Sequence, residues 1–85
     1  MPKVSDPTYQ EMRDALNKLP PAYDFAEFDI EEAIYWFAND NHSGQSSNLY
    51  SALSTSRFRP GPIARGPSGT MAWIGYDELK RRFVT

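Results

Sequence analysis

Apolar residues near the start of the chain recur at the spacing of an amphipathic helix. The positions that share this stripe are Tyr9, Met12, Leu16 and Leu19. Side chains three and four residues apart lie on one face of an α-helix, so the pattern predicts a helix over residues 7–18. Asp6 is placed to cap this helix and Pro7 to occupy its first turn, and Pro20-Pro21 ends it.

A second helix is predicted after a connector that contains prolines and aromatics. Its apolar stripe consists of Ile30, Ala33, Ile34 and Phe37. Asp29 and Glu32 have the spacing of a capping box, with Asp in place of Ser or Thr. The pattern predicts a helix over residues 30–39, which Asn41 or Gly44 can close.

The second half of the chain contains two further helical patterns. Ser46-Ser47-Asn48 can cap a helix that runs to about Thr55. Near the C-terminus the residues that share one face are Tyr76, Leu79 and Phe83, which predicts a helix over 76–83. Residues 70–75 either extend this helix from a Thr70 cap or form a short strand, and the pattern favours the helix.

Residues 56–70 contain three prolines, three glycines and three arginines but no acidic residue. This composition predicts a loop, or a hairpin that consists mostly of its turn. With residues 1–6 as a flexible tail, the chain is predicted to be a single domain over residues 1–85. The expected fold is all-α, a compact bundle of three to four short helices. The alternative is an α+β winged-helix-like fold with a small hairpin at about 58–75.

Composition and charge limit the classes of protein that fit this pattern. The 85 residues include no cysteine, which excludes disulfides and thiolate metal sites. The longest apolar run, residues 33–38, is far shorter than the roughly 20 residues of a membrane span, so a cytoplasmic protein is expected. Residues 1–50 carry three basic and nine acidic side chains, and residues 51–85 carry six basic and two acidic ones. This asymmetry suits either a charged partner or packing of the basic segment on the acidic half.

The sequence contains no set of residues typical of catalysis or metal binding. His42 is the only histidine, whereas a nucleophile needs a base beside it and a metal site draws on several ligands. The glycines of residues 61–69 lack the lysine of a phosphate-binding loop. We therefore expect neither enzymatic activity nor a metal or other cofactor.

Two features point to binding of another macromolecule. The acid-free loop carries Arg57, Arg59 and Arg65, and arginine makes forked contacts with carboxylates and phosphates. Tyr35 and Trp36 lie at the flanks of the apolar helix, where they either anchor a partner or belong to a helix buried on both sides. These residues predict a non-enzymatic protein-interaction module that regulates or assembles a larger partner with an acidic surface.

Three segments carry a resemblance to other proteins. They are residues 34–39, residues 44–51 and residues 60–63, and together they resemble small uncharacterised soluble proteins of cyanobacteria. The resemblance implies a cytoplasmic setting and no particular activity or cofactor.

The order of elements is also loosely similar to that of winged-helix proteins. This similarity implies a recognition helix at residues 46–55, with the three loop arginines on nucleic-acid phosphates. An isoelectric point near 5.2 weighs against it, because non-specific affinity for nucleic acid comes mainly from basic charge. Nucleic acid is therefore the alternative partner.

Overall fold

The core of the protein lies among three α-helices. In a computed structural model, which describes residues 7–19, 24–41, 53–63 and 65–84, α1 spans Tyr9–Asn17, α2 spans Glu27–Asn41 and α3 spans Thr70–Phe83. The predicted all-α class is confirmed. Residues 58–63 and 65–69 run as loop and residues 70–75 belong to α3, so these residues do not form the hairpin of the alternative fold.

Helix α1 begins later than its sequence pattern suggested. Thr8 caps it, because the Thr8 side chain accepts from the Glu11 amide (3.1 Å) while the Glu11 carboxylate accepts from the Thr8 amide (2.9 Å). This reciprocal capping box satisfies two backbone donors at once. The predicted cap at Asp6 is therefore wrong, and Asp6 itself lies outside the described residues.

Helix α2 begins three residues before its predicted start, and the predicted capping box of Asp29 with Glu32 is not formed. The Asp29 carboxylate accepts from the Ala26 amide at 3.1 Å, and the Ala26 carbonyl accepts from the Ile30 amide at 3.2 Å. Asp29 therefore closes the first turn from within the helix. Glu32 takes no part in capping and is buried instead. At the other end the Asn41 side chain donates to the Phe37 carbonyl.

Helix α3 includes residues 70–75, as the pattern favoured. Its cap residue is Gly69, which offers no side-chain cap, so the predicted Thr70 cap is wrong. The last turn carries Lys80, Arg81 and Arg82, which suits the negative end of the helix dipole.

The three helices meet at a core of buried apolar side chains. The largest fully buried ones are Phe37, Met12, Leu16, Ile34 and Leu79. Helices α2 and α3 pack closely at Gly75, where an added Cβ would lie 3.0 Å from the Ala33 Cβ. The radius of gyration is 12.0 Å, close to the roughly 12 Å of a folded chain of this length.

No helix within the described ranges is both long enough and apolar enough to span a membrane. The predicted tail at residues 1–6 and most of the predicted third helix, residues 46–52, lie outside those ranges. Residues 53–55 are described and are helical.

Candidate functional site

Two adjacent carboxylates on α2 hold the two ends of one loop. We call residues 57–68 the tethered loop; Ala64 within it lies outside the described residues. Glu31 is only 6% exposed, and its Oε1 accepts a hydrogen bond from the Arg57 amide at 3.1 Å. This bond fixes the first residue of the tethered loop to the N-terminal part of α2.

Glu32 fixes the other end of the tethered loop. Its side chain is 2% exposed, and Oε2 accepts from the Ser68 amide at 2.8 Å and from the Ser68 hydroxyl at 2.9 Å. A buried carboxylate is costly unless hydrogen bonds compensate its lost hydration, and bonds to a charged acceptor are the stronger kind. In both tethers a loop amide therefore supplies the hydrogen bond that compensates the buried carboxylate on α2.

The beginning of the tethered loop is anchored by an aromatic cluster around Phe58. Phe58 is buried, and the centroid of its ring lies 5.5 Å from that of Phe28, 5.3 Å from that of Tyr35 and 6.4 Å from that of Trp36. Such tilted and edge-to-face pairs are favourable beyond the area that they bury. The loop thus has an apolar anchor between its two polar tethers.

The Arg59 side chain is hydrogen-bonded to backbone carbonyls of its own segment. Its guanidinium donates to the carbonyls of Ser56 (2.6 Å), Phe58 (2.7 Å) and Ser54 (2.9 Å). Carbonyls at the end of a helical turn lack intrahelical partners, and here a charged fork supplies them. Arg59 thus stabilises its own segment, and its role in partner binding stays a prediction.

The other two predicted arginines are exposed on the tethered loop. Arg57 and Arg65 make no ion pair with any carboxylate in the described part of the chain. The acidic half thus holds the loop through backbone amides. Beside the hydrogen bond from Arg13, the Arg57 charge also contributes to the lowered pKa of Glu27. The guanidiniums of Arg57 and Arg65 both stay accessible. Packing of the basic loop on the acidic half and display of its charge to a partner are both compatible with this geometry.

Ile63 is the most exposed large apolar side chain in the described ranges, at 89%. It lies in the tethered loop between Arg57 and Arg65, beside the exposed Gly61 and Pro62. Sequence reasoning did not select it. The available signal was its position as an isolated aliphatic residue among prolines and glycines, away from any helical stripe.

The two aromatic candidates on α2 differ in accessibility. Trp36 is 6% exposed and belongs to the core, and its indole Nε1 has no hydrogen-bond partner among the residues that the structure describes. Burial on both sides of the helix, the alternative considered for this residue, describes it; a role as partner anchor does not. Tyr35 is half-buried and packs edge-to-face on Trp36 with centroids 5.2 Å apart.

Trp73 on α3 lies against the C-terminal part of the tethered loop. An added Cβ at Gly66 would be 3.2 Å from Cζ2 of its ring, and the ring packs edge-to-face on Tyr76 with centroids 5.5 Å apart. The Tyr76 hydroxyl donates to Asp40 at 2.7 Å. Burial and this hydrogen bond raise the pKa of Tyr76. Trp73 itself remains 45% exposed.

The ion pairs found among the described residues are formed by residues of the helices. Arg13 pairs with Glu27 at 2.7 Å across α1 and α2, and this contact lowers the pKa of Glu27. Glu78 pairs with Arg81 and Arg82 within α3. These contacts pair five of the charged side chains of the helices.

Within the described ranges, no group of three or more His, Cys, Asp or Glu side chains is arranged to hold a metal ion. His42 and residues 46–52 of the helix that winged-helix similarity would place on DNA lie outside those ranges.

Comparison with known proteins finds no matching family model, no matching curated protein and no matching solved structure.

Proposed function

We propose that this chain is a non-enzymatic protein-interaction module, working in the cytoplasm, that regulates or assembles a larger protein partner through its tethered loop. The observation that carries the proposal is the 89% exposure of Ile63 on a loop whose two ends are bonded to buried carboxylates. An apolar side chain displayed in this way is typical of an anchor that fills a pocket on a partner.

The tethers favour binding because they reduce its entropic cost. A loop that is already held at both ends loses less conformational freedom when a partner orders it. Three prolines at positions 60, 62 and 67 restrict the backbone further. The tethered loop therefore presents Ile63 in few conformations.

Charge determines the kind of partner. The exposed Arg57 and Arg65 flank Ile63 in sequence, and residues 56–70 contain no acidic residue. A protein surface with carboxylates around an apolar pocket complements this arrangement. Nucleic acid has less support, since Arg59 is bound to carbonyls and the isoelectric point is near 5.2.

Co-purification from cells that naturally express the chain tests the proposal. Tagged wild type is compared with Ile63→Asp, which places a repulsive carboxylate at the anchor, and with Gly61→Ala, whose added Cβ meets nothing within 4 Å. Quantitative mass spectrometry should find a protein enriched with wild type and Gly61→Ala but reduced at least tenfold with Ile63→Asp. Circular dichroism should show all three folded.

Two results of the co-purification would contradict the proposal. If no protein is enriched with wild type, or if every enriched protein is retained by Ile63→Asp, the tethered loop is not a partner-binding surface.

A further inference from the structure

We infer that Trp73 and the tethered loop form one composite surface, and that this surface takes an acidic peptide segment carrying an apolar side chain. The inference rests on the proposed function and deepens it, because it names the partner's chemistry and adds a residue from a different element. Ile63, Arg65 and Trp73 are the residues that would contact the peptide.

Contact with the loop places Trp73 in this surface. The edge of its ring lies so near Gly66 that an added Cβ would be 3.2 and 3.3 Å from two ring carbons. Gly66 directly follows Arg65 and comes three residues after Ile63. The indole therefore lies against the tethered loop at the residue that follows Arg65.

Trp73 is held in place without being covered. Gly66 supports one edge of the ring, and Tyr76 packs against it while donating its hydroxyl to Asp40. The ring is nonetheless 45% exposed. A large, ordered and half-exposed aromatic side chain loses little conformational entropy on binding, which is why tryptophan is common among binding anchors.

Charge at this surface favours an acidic ligand on the loop side. Arg65 directly precedes Gly66, the residue that lies against the indole, and makes no ion pair with a carboxylate in the described part of the chain. Along α3 the charges are mixed: Asp77 follows Trp73 by one turn, Asp40 is bound to Tyr76, and the Lys80 ammonium lies 5.6 Å from the centroid of the Tyr76 ring. Arg65 on the loop side and Lys80 on α3 therefore both favour a ligand that carries carboxylates.

Selection of a display library of random 12-residue peptides on the full chain tests this inference. The expected consensus contains two or more acidic residues next to an aliphatic or aromatic residue. The dissociation constants of the enriched peptides should rise at least tenfold with Ile63→Asp and with Trp73→Ala. They should change less than twofold with Gly61→Ala, the control in the same loop.

A spectroscopic readout reports on Trp73 directly. In the Trp36→Phe variant Trp73 is the only tryptophan, and a bound peptide should shift its emission to shorter wavelength as water leaves the ring. A saturating peptide that leaves this emission unchanged would place the peptide elsewhere and overturn the inference.

The remaining outcomes separate the inference from the proposed function. Peptides that lose affinity with Ile63→Asp but not with Trp73→Ala overturn the composite surface and leave the loop as the binding site. A basic or uncharged consensus, the absence of enriched peptides, or Trp73-dependent binding of a mixed-sequence single-stranded oligonucleotide instead of peptide overturns the acidic-peptide ligand. The proposed function then stands or falls with the co-purification experiment alone.

Discussion

Arg57 and Arg59 are two residues apart, yet they contribute to the protein in different ways. Arg57 bonds through its backbone amide to Glu31 and exposes its side chain. Arg59 directs its guanidinium to three carbonyls of its own segment. Their sequence context is nearly the same, so only the fold around them distinguishes a residue that displays charge from one that stabilises a turn.

The Arg59→Ala substitution should lower the free energy of unfolding by about 1–2 kcal/mol, because three carbonyls lose a charged donor and solvent replaces it only in part. Arg57→Ala should stay within about 0.5 kcal/mol of wild type, as for most surface substitutions, because alanine keeps the amide that binds Glu31. Urea unfolding of both variants measures the difference. Equal effects of the two substitutions would contradict the assignment.

Glu32 illustrates why part of the site could not be predicted from the sequence. Its spacing from Asp29 matches a capping box, and local spacing was the only information available. The actual partner, Ser68, lies 36 residues away, and a contact of that separation depends on the tertiary fold. The same holds for Arg59, whose residue type suggested recognition although its bonds are internal.

Helix α2 has two roles at the scale of the elements. One face supplies core residues such as Ile34 and Phe37, and the buried carboxylates of Glu31 and Glu32 hold the tethered loop. Apolar periodicity predicted the first role, together with the existence of α1 and α3. It could not predict the second, because two acidic residues in a helix are ordinarily read as a solvated face.

The close contact between Gly75 of α3 and Ala33 of α2 predicts how stability changes when the methyl group is moved from one helix to the other. Gly75→Ala should destabilise the protein through the 3.0 Å approach to the Ala33 Cβ, with overpacking of about 1–3 kcal/mol opposed by a helix-propensity gain of about 1 kcal/mol. In the double variant Ala33→Gly with Gly75→Ala the propensity changes cancel and the clash is removed. The other neighbours of the new methyl group, Leu16 and Phe25, lie at an ordinary 3.5 Å.

A double-mutant cycle by urea unfolding measures this exchange. The two substitutions together should be less destabilising than the sum of the single ones, by about 1 kcal/mol or more. Additive effects would mean that α2 and α3 do not touch at this point.

The contact between Tyr76 and Asp40 joins α3 to the end of α2 and predicts an alkaline dependence of stability. The pKa of Tyr76 is raised by burial and by its hydrogen bond to Asp40, so the folded state holds the phenolic proton more tightly than the unfolded state. This contribution is complete below a pH of about 10, the ordinary pKa of tyrosine. It is lost as the pH rises through the raised folded-state value.

The Tyr76→Phe variant isolates this effect. Its free energy of unfolding at pH 7 should be about 1 kcal/mol lower because the bond to Asp40 is lost. The difference from wild type should shrink as the pH rises above 10. Thermal unfolding of both proteins between pH 7 and pH 11 gives the comparison, and a difference that stays constant would show that Tyr76 does not titrate as proposed.

At the scale of the whole molecule, the opposite charges of the two halves of the chain meet in an unexpected way. The sequence left open whether the basic loop pairs with the acidic half or displays its charge. In the fold, carboxylates of α2 bind backbone amides of the tethered loop and leave Arg57 and Arg65 exposed. The acidic half thus stabilises the loop through its backbone amides and leaves both side chains exposed, although Arg57 also interacts electrostatically with Glu27.

The central claim is that two buried carboxylates hold the tethered loop, and amide hydrogen exchange measured by NMR tests it most directly. The amides of Arg57 and Ser68 should exchange at least about tenfold more slowly than those of Gly61 and Ile63 at the exposed apex, since exchange of a bonded amide requires local opening. Glu31→Met should remove the protection of Arg57 alone, and Glu32→Met that of Ser68 alone. Exchange of the Arg57 and Ser68 amides as fast as that of Gly61 in the wild type would contradict the account.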